Sequence, residues 1–359
     1  MTSAAPKPTT RKVAPIRPSQ GILRLGYVPL ADAAPLLMAE ALGLFQDSGL
    51  QVQLNRELGW GSIREKLVYG ELDAAHAPAG MLYSILCGTH SPPCEVSTDL
   101  VLSLQGNAIT LSRRLWEKGV RDGSTLRQLL RSEAPRKPAF AVVSAFSTHP
   151  FLLRKWLRDA GVNPDRDIRI VFLPPALVGE HMKAGQIDGF CVGEPWNSAA
   201  TAAGDGWIVA TSATLAPRHP EKVLLASHSL RHQRAEEYAR LRQAIVTAAQ
   251  YCDTPQGREE LVGVLDSRRL FPVSREVLAN SLLGPLEKGV GQKPEAGPLH
   301  YFFKNDTNRA TVDRGVWLLD TLADSPSVNL TPPQRRAFLD AFEDHLQTST
   351  PPPTTKTKK

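Results

Sequence analysis

A short stretch with glycine, tryptophan and a helix-start pattern is the part of this sequence best suited to binding a small anion. Ser62 and Glu65 have the spacing of a capping box, in which each side chain bonds the backbone N–H of the other. The pattern predicts a helix that begins at Ser62, with Gly61 just ahead of it. Backbone N–H groups at such a helix start attract anions, and Trp60 adds an indole donor.

The elements that would position this turn alternate between strands and helices. Apolar alternation predicts strands at residues 22–28, 50–54, 72–75, 140–143, 168–173, 187–192 and 207–210. Helical spacing and caps predict helices at residues 31–45, from 62, from 147 or 148 to 161, from about 176, and at 235–252, 258–265 and 332–346. This order predicts an α/β fold whose parallel-type sheets carry helices on both faces.

Two segments resemble each other and favour two lobes of similar build. Residues 68–75 and 183–190 each contain a helix end, a Gly, a polar residue, an aliphatic residue, an Asp and a strand. Chance similarity at a common helix–Gly–strand junction is the alternative. Asp73 and Asp188 are interpreted as groups that fix local backbone rather than as an acid–base pair. Cys191, inside an apolar strand, is predicted to be a buried structural thiol.

The positive net charge lies in the two ends of the chain. The formal net charge is +6, from 42 basic and 36 acidic residues. Seven of the basic residues lie in the two ends: Lys7, Arg11, Lys12, Arg17, Lys356, Lys358 and Lys359. Subtracting these seven leaves 35 basic against 36 acidic residues, so the body is near neutral and direct nucleic-acid binding is not expected. Residues 1–20 and 348–359 are predicted to be disordered tails.

Targeting signals and cysteine spacing indicate the compartment. Residues 1–20 contain positive charge but neither an apolar secretory segment nor a twin Arg, so a cytoplasmic protein without membrane attachment is expected. Four scattered cysteines form no CxxC pair, which favours free thiols and predicts neither a metal site nor a cofactor.

Several motifs resemble a known group of binding proteins. Residues 25–30 and 39–45 resemble bilobal solute-binding proteins, which include sulfonate and thiamine-precursor binders. Residues 190–197 (FCVGEPWN) and 219–222 (HPEK) resemble the narrower nitrate/bicarbonate branch, the NrtA- and CmpA-like proteins. The resemblance covers about residues 22 to 345. It implies a type II periplasmic-binding-protein fold with a ligand cleft between two lobes. Lobe I would contain residues 21–112 and 224–347, and lobe II residues 113–223.

The resemblance also implies a set of residues for binding nitrate. A family Trp–Gly pair matches Trp60 and Gly61, a His at the start of a helix matches His149, and the Lys of HPEK matches Lys222. A family Gln falls at Asn107, with Gln105 as the alternative ligand, and a Pro–Pro turn matches Pro174 and Pro175. Lys222 would supply the single charge that compensates a buried monoanion. His149 would be neutral and donate one N–H to it.

The member of this branch that lacks an export signal is the cytoplasmic nitrate/nitrite sensor of the NasS type. This resemblance implies that nitrate or nitrite closes the lobes and releases a partner, an ANTAR-domain antiterminator of the NasT type. Two other readings stay open: a binding component of a nitrate or bicarbonate transporter, and an enzyme such as a thiamine-pyrimidine synthase. The enzyme would need a clustered cysteine motif that the sequence lacks, so a non-enzymatic protein is expected.

Overall fold

The chain folds into two α/β lobes, each built on its own β-sheet. The computed structural model describes residues 21–132, 136–326 and 328–343, so the predicted tails at 1–20 and 348–359 lie outside the described residues. The described strands are β1 (Ile22–Tyr27), β2 (Gln51–Arg56), β3 (Ala74–Pro78), β4 (Val96–Ser97), β5 (Val101–Gln105), β6 (Asn107–Ser112), β7 (Ala139–Val142), β8 (Arg169–Phe172), β9 (Gly189–Gly193), β10 (Gly206–Thr211), β11 (Pro220–Ser227) and β12 (His300–Tyr301).

Helices cover both sheets. The described α-helices are α1 (Ala34–Ala41), α2 (Leu44–Asp47), α3 (Trp60–Val68), α4 (Met81–Leu86), α5 (Arg113–Glu117), α6 (Gly123–Ser132), α7 (His149–Asp159), α8 (Val178–Lys183), α9 (Trp196–Ala202), α10 (Ser212–Leu215), α11 (Ala235–Cys252), α12 (Pro255–Ser267), α13 (Arg275–Leu282), α14 (Val312–Ala323) and α15 (Pro332–Ala341). Short 3₁₀ turns at Ala31–Ala33 and Pro175–Leu177 precede α1 and α8, and a π-helical turn at Ser229–Gln233 precedes α11. The predicted helix at 31–45 is interrupted at Gly43, whose φ of 72° is left-handed.

The two sheets mix parallel and antiparallel neighbours. In the described residues the first sheet has the order β12-β5-β11-β3-β1-β2, with β4 also paired to β11. The second has the order β10-β6-β9-β7-β8. In each sheet the βα units make parallel pairs, such as β1 with β2 and β7 with β8. Strands that return from the other lobe, such as β11 and β6, pair antiparallel.

Within the described strands the chain passes between the sheets twice, and both crossings lie earlier than the sequence predicted. The first crossing is at Gly106, where β5 of the first sheet ends and β6 of the second begins. The second lies between β10 and β11. The predicted boundaries after Ser112 and Val223 therefore need correction. A left-handed φ of 96° at Gly106 makes the turn that separates β5 from β6.

The two resembling junctions have the same hydrogen-bond pattern. Asp73 accepts a bond from the backbone N–H of Arg24 at 2.8 Å, and Asp188 accepts one from the N–H of Ala139 at 2.9 Å. In both cases the carboxylate fixes the start of the neighbouring strand, which confirms the structural role predicted for the two residues. Cys191 is fully buried, and burial raises the pKa of its thiol, as expected of an inert core cysteine.

The longest helix supports the first sheet. Helix α11 packs against α1, and its buried face contributes Leu241, Ile245 and Ala248 to the core. A second apolar core around Phe140, Leu153 and other buried residues lies in the second lobe. Among the described helices, none combines the length and the apolar character needed to cross a bilayer.

Candidate functional site

A cavity of about 300 Å³ opens between the two lobes. The start of α3 lines it from the first lobe, and segments that follow β7 and β8 line it from the second. The cleft wall consists of Gly59, Trp60, Gly61, Pro174 and Pro175, which line this cavity together with Arg64. Its volume is at the lower end of the range of about 300–1,000 Å³ that small-molecule sites occupy.

The helix start in the cleft wall differs from the predicted capping box. Helix α3 begins at Trp60, with Gly59 as its N-cap in an extended conformation, so Ser62 already lies inside the first turn. The Ser62 hydroxyl donates to the carbonyl of Gly59 at 2.9 Å, and Glu65 pairs with Arg64 at 2.8 Å. The predicted Ser62–Glu65 capping box is therefore wrong. The helix start still faces the cavity, as the sequence indicated.

Behind the cleft wall lies a group of polar side chains that are almost completely buried. The term buried network is used for Asp32, His76, Asn107, Thr148, His149, Glu221 and Lys222. Trp60 connects the two parts of the site: its ring centroid lies 5.6 Å from the Lys222 Nζ and 5.6 Å from the ring of His76. Trp60 is itself only 6% exposed, so the network lies beneath the cleft surface.

Lys222 pairs with two carboxylates. Its Nζ lies 2.7 Å from Asp32 Oδ2 and 2.7 Å from Glu221 Oε1, and all three side chains are fully or almost fully inaccessible to solvent. Burial alone lowers the pKa of Lys222, but the two carboxylates offset this and raise it, so the lysine is charged. In the same way, burial would raise the pKa of Glu221, but Lys222 and His149 hold it well below its usual value. Lys222 is therefore not the unopposed cation that the sequence analysis expected.

The two histidines of the network each use one ring nitrogen. His76 Nε2 lies 2.8 Å from Asp32 Oδ1, and His149 Nε2 lies 3.0 Å from Asn107 Oδ1. Burial lowers the pKa of both imidazoles, so both are neutral near neutral pH. The other nitrogen of each ring, Nδ1, is buried and has no hydrogen-bond partner in the part of the chain that the structure describes.

A chain of hydrogen bonds orders the side chains around His149. Asn107 Nδ2 donates to the hydroxyl of Thr148 at 3.3 Å, and that hydroxyl donates to Glu221 Oε2. Thr148 is the N-cap residue of α7, and His149 is the first residue of this helix. The helix start therefore holds His149 beside β6 of its own lobe and beside β11 of the other lobe.

The six predicted site residues lie in two adjoining places. In the cleft wall are Trp60, Gly61 and Pro175. In the buried network are Asn107, His149 and Lys222. Gln105, the alternative to Asn107, is used elsewhere, because its side chain bonds the backbone of Arg218 and Leu299.

Sequence reasoning missed three charged or titratable members of the network: Asp32, His76 and Glu221. Each had a signal, since a polar residue inside an apolar run is buried only when it is paired. Asp32 stands between alanines, and His76 stands within the apolar β3. Within the described residues, groups of three or more His, Cys, Asp or Glu side chains that could hold a metal ion are absent.

The hinge beside the network contains another buried carboxyl group. The backbone N–H of Ala31 in the first lobe donates to the carbonyl of Glu194 at 2.9 Å, and the N–H of Glu194 donates to Gly106 at 3.2 Å. The Glu194 carboxylate accepts a bond from the N–H of Ser198 at 3.1 Å. Burial raises the pKa of Glu194 to about 7. The peptide that joins Glu194 to Pro195 is cis.

Similar proteins exist among curated sequences and solved structures. The chain is 34% identical over 304 residues to the nitrate import ATP-binding protein NrtC of Synechocystis sp., which is 84% of this chain and 45% of that protein. It is 34% identical over 303 residues to the bicarbonate transport ATP-binding protein CmpC of Synechococcus elongatus, with the same coverage. It thus spans 45% of the length of these two relatives. It is also 28% identical over 280 residues to the nitrate/nitrite binding protein NrtA of Nostoc sp., which is 76% of this chain and 63% of that protein.

The fold has a clear structural relative. The crystal structure of the periplasmic nitrate-binding protein NrtA from Synechocystis superimposes with a TM-score of 0.84 at 26% identity, over 91% of this chain and 86% of that one. The alkanesulfonate-binding protein SsuA from Xanthomonas axonopodis shares the fold, with a TM-score of 0.65 at 16% identity over 89% of this chain and 99% of that one. The model of the NMT1-like family matches residues 17–266. The chain therefore belongs to the NMT1-like family and has the periplasmic-binding-protein fold, in a form similar to NrtA.

Proposed function

We propose that this chain binds nitrate or nitrite where the cleft wall meets the buried network. One observation carries the proposal: Trp60 Nε1 and His149 Nδ1 are both buried and have no hydrogen-bond partner among the described residues. Lys222 Nζ lies 5.6 Å from the Trp60 ring, where it is already paired with Asp32 and Glu221. A buried polar atom left unpaired costs about 1–3 kcal/mol, so a small anion recovers that energy when it accepts from the Trp60 indole N–H, and from His149 Nδ1 when that nitrogen carries a hydrogen.

The similar proteins support an oxyanion as the ligand. NrtA is named for nitrate and nitrite, while CmpC is named for bicarbonate. Nitrate and nitrite are flat and only accept hydrogen bonds, and the indole N–H of Trp60 only donates them. Bicarbonate has a hydroxyl group that requires an acceptor, and the acceptors Asp32 and Glu221 are already bonded to Lys222, whereas His149 Nδ1 is unpaired among the described residues. The choice of nitrate or nitrite in this proposal therefore rests on the structural similarity to the nitrate-binding NrtA.

Binding between the lobes provides a switch. Trp60 and Lys222 belong to elements of the first sheet and its helices, whereas Asn107 and His149 belong to the second lobe. An anion that contacts both sets does so fully only when the lobes are closed. It shifts the balance between open and closed states by its difference in affinity for them.

We propose that the closed state is read by a protein partner. In this proposal the chain is a cytoplasmic sensor of nitrate or nitrite that holds an ANTAR-domain antiterminator of the NasT type and releases it when the anion binds. The resemblance of residues 190–197 and 219–222 to the sensor's branch supports it. Regulated release of a partner also requires such a ligand-dependent change in the position of the lobes.

The second candidate is the binding component of a nitrate transporter. The observation that favours it is the structural similarity to NrtA, a protein described as periplasmic and nitrate-binding. Both candidates use the same anion site, and they differ in compartment and partner. Fractionation of native cells separates them: recovery of the chain from the cytoplasm supports the sensor, and recovery outside the cytoplasm supports the transporter.

Calorimetry of the purified full chain with nitrate, nitrite, bicarbonate and sulfate tests the binding proposal. Heat is expected with nitrate or nitrite, and its absence with both would overturn the proposal. Co-purification of an ANTAR-domain antiterminator in anion-free buffer, followed by its release when nitrate or nitrite is added, tests the sensor. A partner that stays bound at saturating concentrations of both anions would contradict regulated release.

A further inference from the structure

The hydrogen bonds of His149 determine which proton the ring carries. Asn107 Nδ2 donates to Thr148, so the Asn107 oxygen Oδ1 is the atom that faces His149 Nε2 at 3.0 Å. An amide oxygen only accepts, so Nε2 is the nitrogen that carries the hydrogen of the neutral ring. Nδ1 is then a bare lone pair, buried and without a partner within the described residues.

An anion cannot bond to such a nitrogen as it stands. Nitrate and nitrite oxygens are acceptors, and two acceptors placed together repel each other. The family resemblance implies that a neutral His149 donates its N–H to the anion. The structure corrects this, because that N–H is already used by Asn107. Contact between the anion and Nδ1 therefore requires a second proton on the ring.

The charge of the network leads to the same requirement. Asp32 and Glu221 contribute −2 and Lys222 contributes +1, so with neutral histidines the three paired groups sum to −1. A monoanion would bring this sum to −2, and Arg64, a cation that lines the same cavity, is already paired with Glu65. Buried charge without compensation is strongly unfavourable, and proteins avoid it by changing the protonation state of a nearby group.

We infer that the chain takes up one proton from solvent with each nitrate or nitrite ion, and that this proton resides on the pair formed by His149 and Glu221. This inference rests on the proposed anion site. The N–H bond that forms is at Nδ1 of His149, and no other covalent bond changes. The Nε2 atom of the ring lies 3.5 Å from Glu221 Oε1, so the resulting imidazolium has a carboxylate beside it. The chain then binds each anion together with one proton, and not the anion alone.

The groups around His149 come from several elements. Those that carry or can acquire charge are Asp32, His219, Glu221 and Lys222. His219 is an alternative proton acceptor, since it lies 3.6 Å from Glu221, but its Nδ1 already faces the carbonyl of Pro220 and its ring stacks on Trp317. Burial keeps the pKa of free His149 below its ordinary value, so the free ring is neutral above about pH 6.5.

Calorimetry with sodium nitrate and sodium nitrite in buffers of different ionisation enthalpy counts the protons directly. At a pH above the range in which free His149 titrates, the full chain is expected to take up close to one proton per anion. Its Kd should rise roughly tenfold for each pH unit, up to the pKa of the anion-bound pair. Binding with no proton uptake and a Kd independent of pH would overturn this inference and leave the anion site intact. Absence of binding at every pH would overturn both.

Three variants locate the proton. His149→Gln and Glu221→Gln each remove one partner of the pair and are expected to abolish proton uptake in those variants that still bind the anion. Glu194→Gln, which changes a buried carboxyl in the hinge, is the matched control and should keep uptake near one. Loss of uptake in Glu194→Gln, together with retention in both other variants, would place the proton elsewhere and overturn the assignment. Near-UV circular dichroism identifies variants that fail to fold. Where a variant does not fold, the proton count of the wild type alone tests the inference.

Discussion

The cleft wall and the buried network adjoin each other but consist of different types of residue. The wall presents a helix start, an indole face and a Pro–Pro turn, with Gly61 exposed, and Arg64, which lines the same cavity, is paired with Glu65. The network contains Lys222 and two carboxylates, all with essentially no exposure. Trp60, which lines the cavity and lies 5.6 Å from Lys222 Nζ, belongs to both.

The cleft wall therefore determines the shape of the site, and the buried network determines its charge. Trp60 packs in the core, but Gly59 and Gly61 have no atom within 4 Å of an added Cβ, so conservative changes in the wall should alter anion binding more than folding. Network residues compensate one another's charges, and removal of any one leaves the others unpaired in a region of low dielectric. Substitutions in the network should therefore alter folding and binding together.

The largest effect is expected from Lys222→Met. The change leaves Asp32 and Glu221 buried without their cation, and breaking a buried ion pair in this way costs about 3–5 kcal/mol. Urea denaturation should show this loss in the free energy of unfolding, and calorimetry should show at least tenfold weaker nitrate binding, on the order of 1.4 kcal/mol.

The matched control restores neutrality. In Asp32→Asn/Glu221→Gln/Lys222→Met the three buried charges are gone, so most of the stability lost in Lys222→Met should return, while the anion affinity should not. If Lys222→Met alone unfolds at the same urea concentration as the wild type, the carboxylates are not held by Lys222, and the contrast between wall and network fails.

Glu194→Gln tests a buried carboxyl that lacks a cation. Glu221 and Glu194 are equally buried, but the pKa of Glu221 is lowered, whereas that of Glu194 is raised from 4.5 to about 7. Between pH 4.5 and about pH 7, Glu194 keeps its proton in the folded protein, whereas the same group in the unfolded chain has released it. The stability contributed by Glu194 is thus present at low pH and lost as the pH rises through about 7.

The glutamine variant removes this dependence. From about pH 5 to about pH 8, its free energy of unfolding should rise relative to the wild type by about 3 kcal/mol. Urea denaturation at both pH values measures the difference. An equal offset at the two pH values would mean that Glu194 is ionised in the folded state throughout this range.

The cleft wall was more accessible to sequence reasoning than the network. A Trp between glycines at a helix start can be recognised from neighbouring residues alone, and the order of strands and helices follows from local periodicity. The pairing of Lys222 with Asp32 is different, because the two side chains come from segments far apart in the chain. Lys222 lies in β11 and Asp32 lies in the 3₁₀ turn that follows β1, so only the sheet order β11-β3-β1 brings them together.

Local sequence patterns also gave wrong predictions where one pattern is compatible with two different structures. Ser62 and Glu65 fit a capping box, but the helix starts at Trp60, because the Gly59 carbonyl accepts from both the Ser62 hydroxyl and the N–H of Ile63. Gln105 and Asn107 would share one face of a straight strand. The left-handed φ of 64° at Gln105 breaks that strand and sends the two residues into different sheets.

Trp60→Phe separates the indole N–H from the ring. The N–H has no partner among the described residues, so its loss should leave the free energy of unfolding unchanged or slightly raised. The phenyl ring keeps the apolar wall, and only the hydrogen bond to the anion is lost. Nitrate affinity should fall roughly tenfold, about 1.4 kcal/mol. Wild-type affinity in this variant, measured by calorimetry, would show that the indole faces away from the ligand.

The smallest effect is expected from Gly61→Ala, which should raise the free energy of unfolding and lower the affinity for nitrate. No atom lies within 4 Å of a Cβ added at Gly61, so the methyl group fits, and the first turn of α3 gains up to about 1 kcal/mol from the lower entropy of alanine. The same methyl group stands in the cleft and keeps an anion from the backbone N–H groups, so nitrate affinity should fall a few-fold.

Gly179→Ala is the control for this pair of effects. Gly179 also lies in a short helix with no atom within 4 Å of its added Cβ, but it does not line the cavity. It should gain stability without any change in nitrate affinity. If Gly61→Ala and Gly179→Ala bind nitrate equally well, the anion does not approach the start of α3. The cleft wall would then serve only to cover the network, and binding would depend on the network alone.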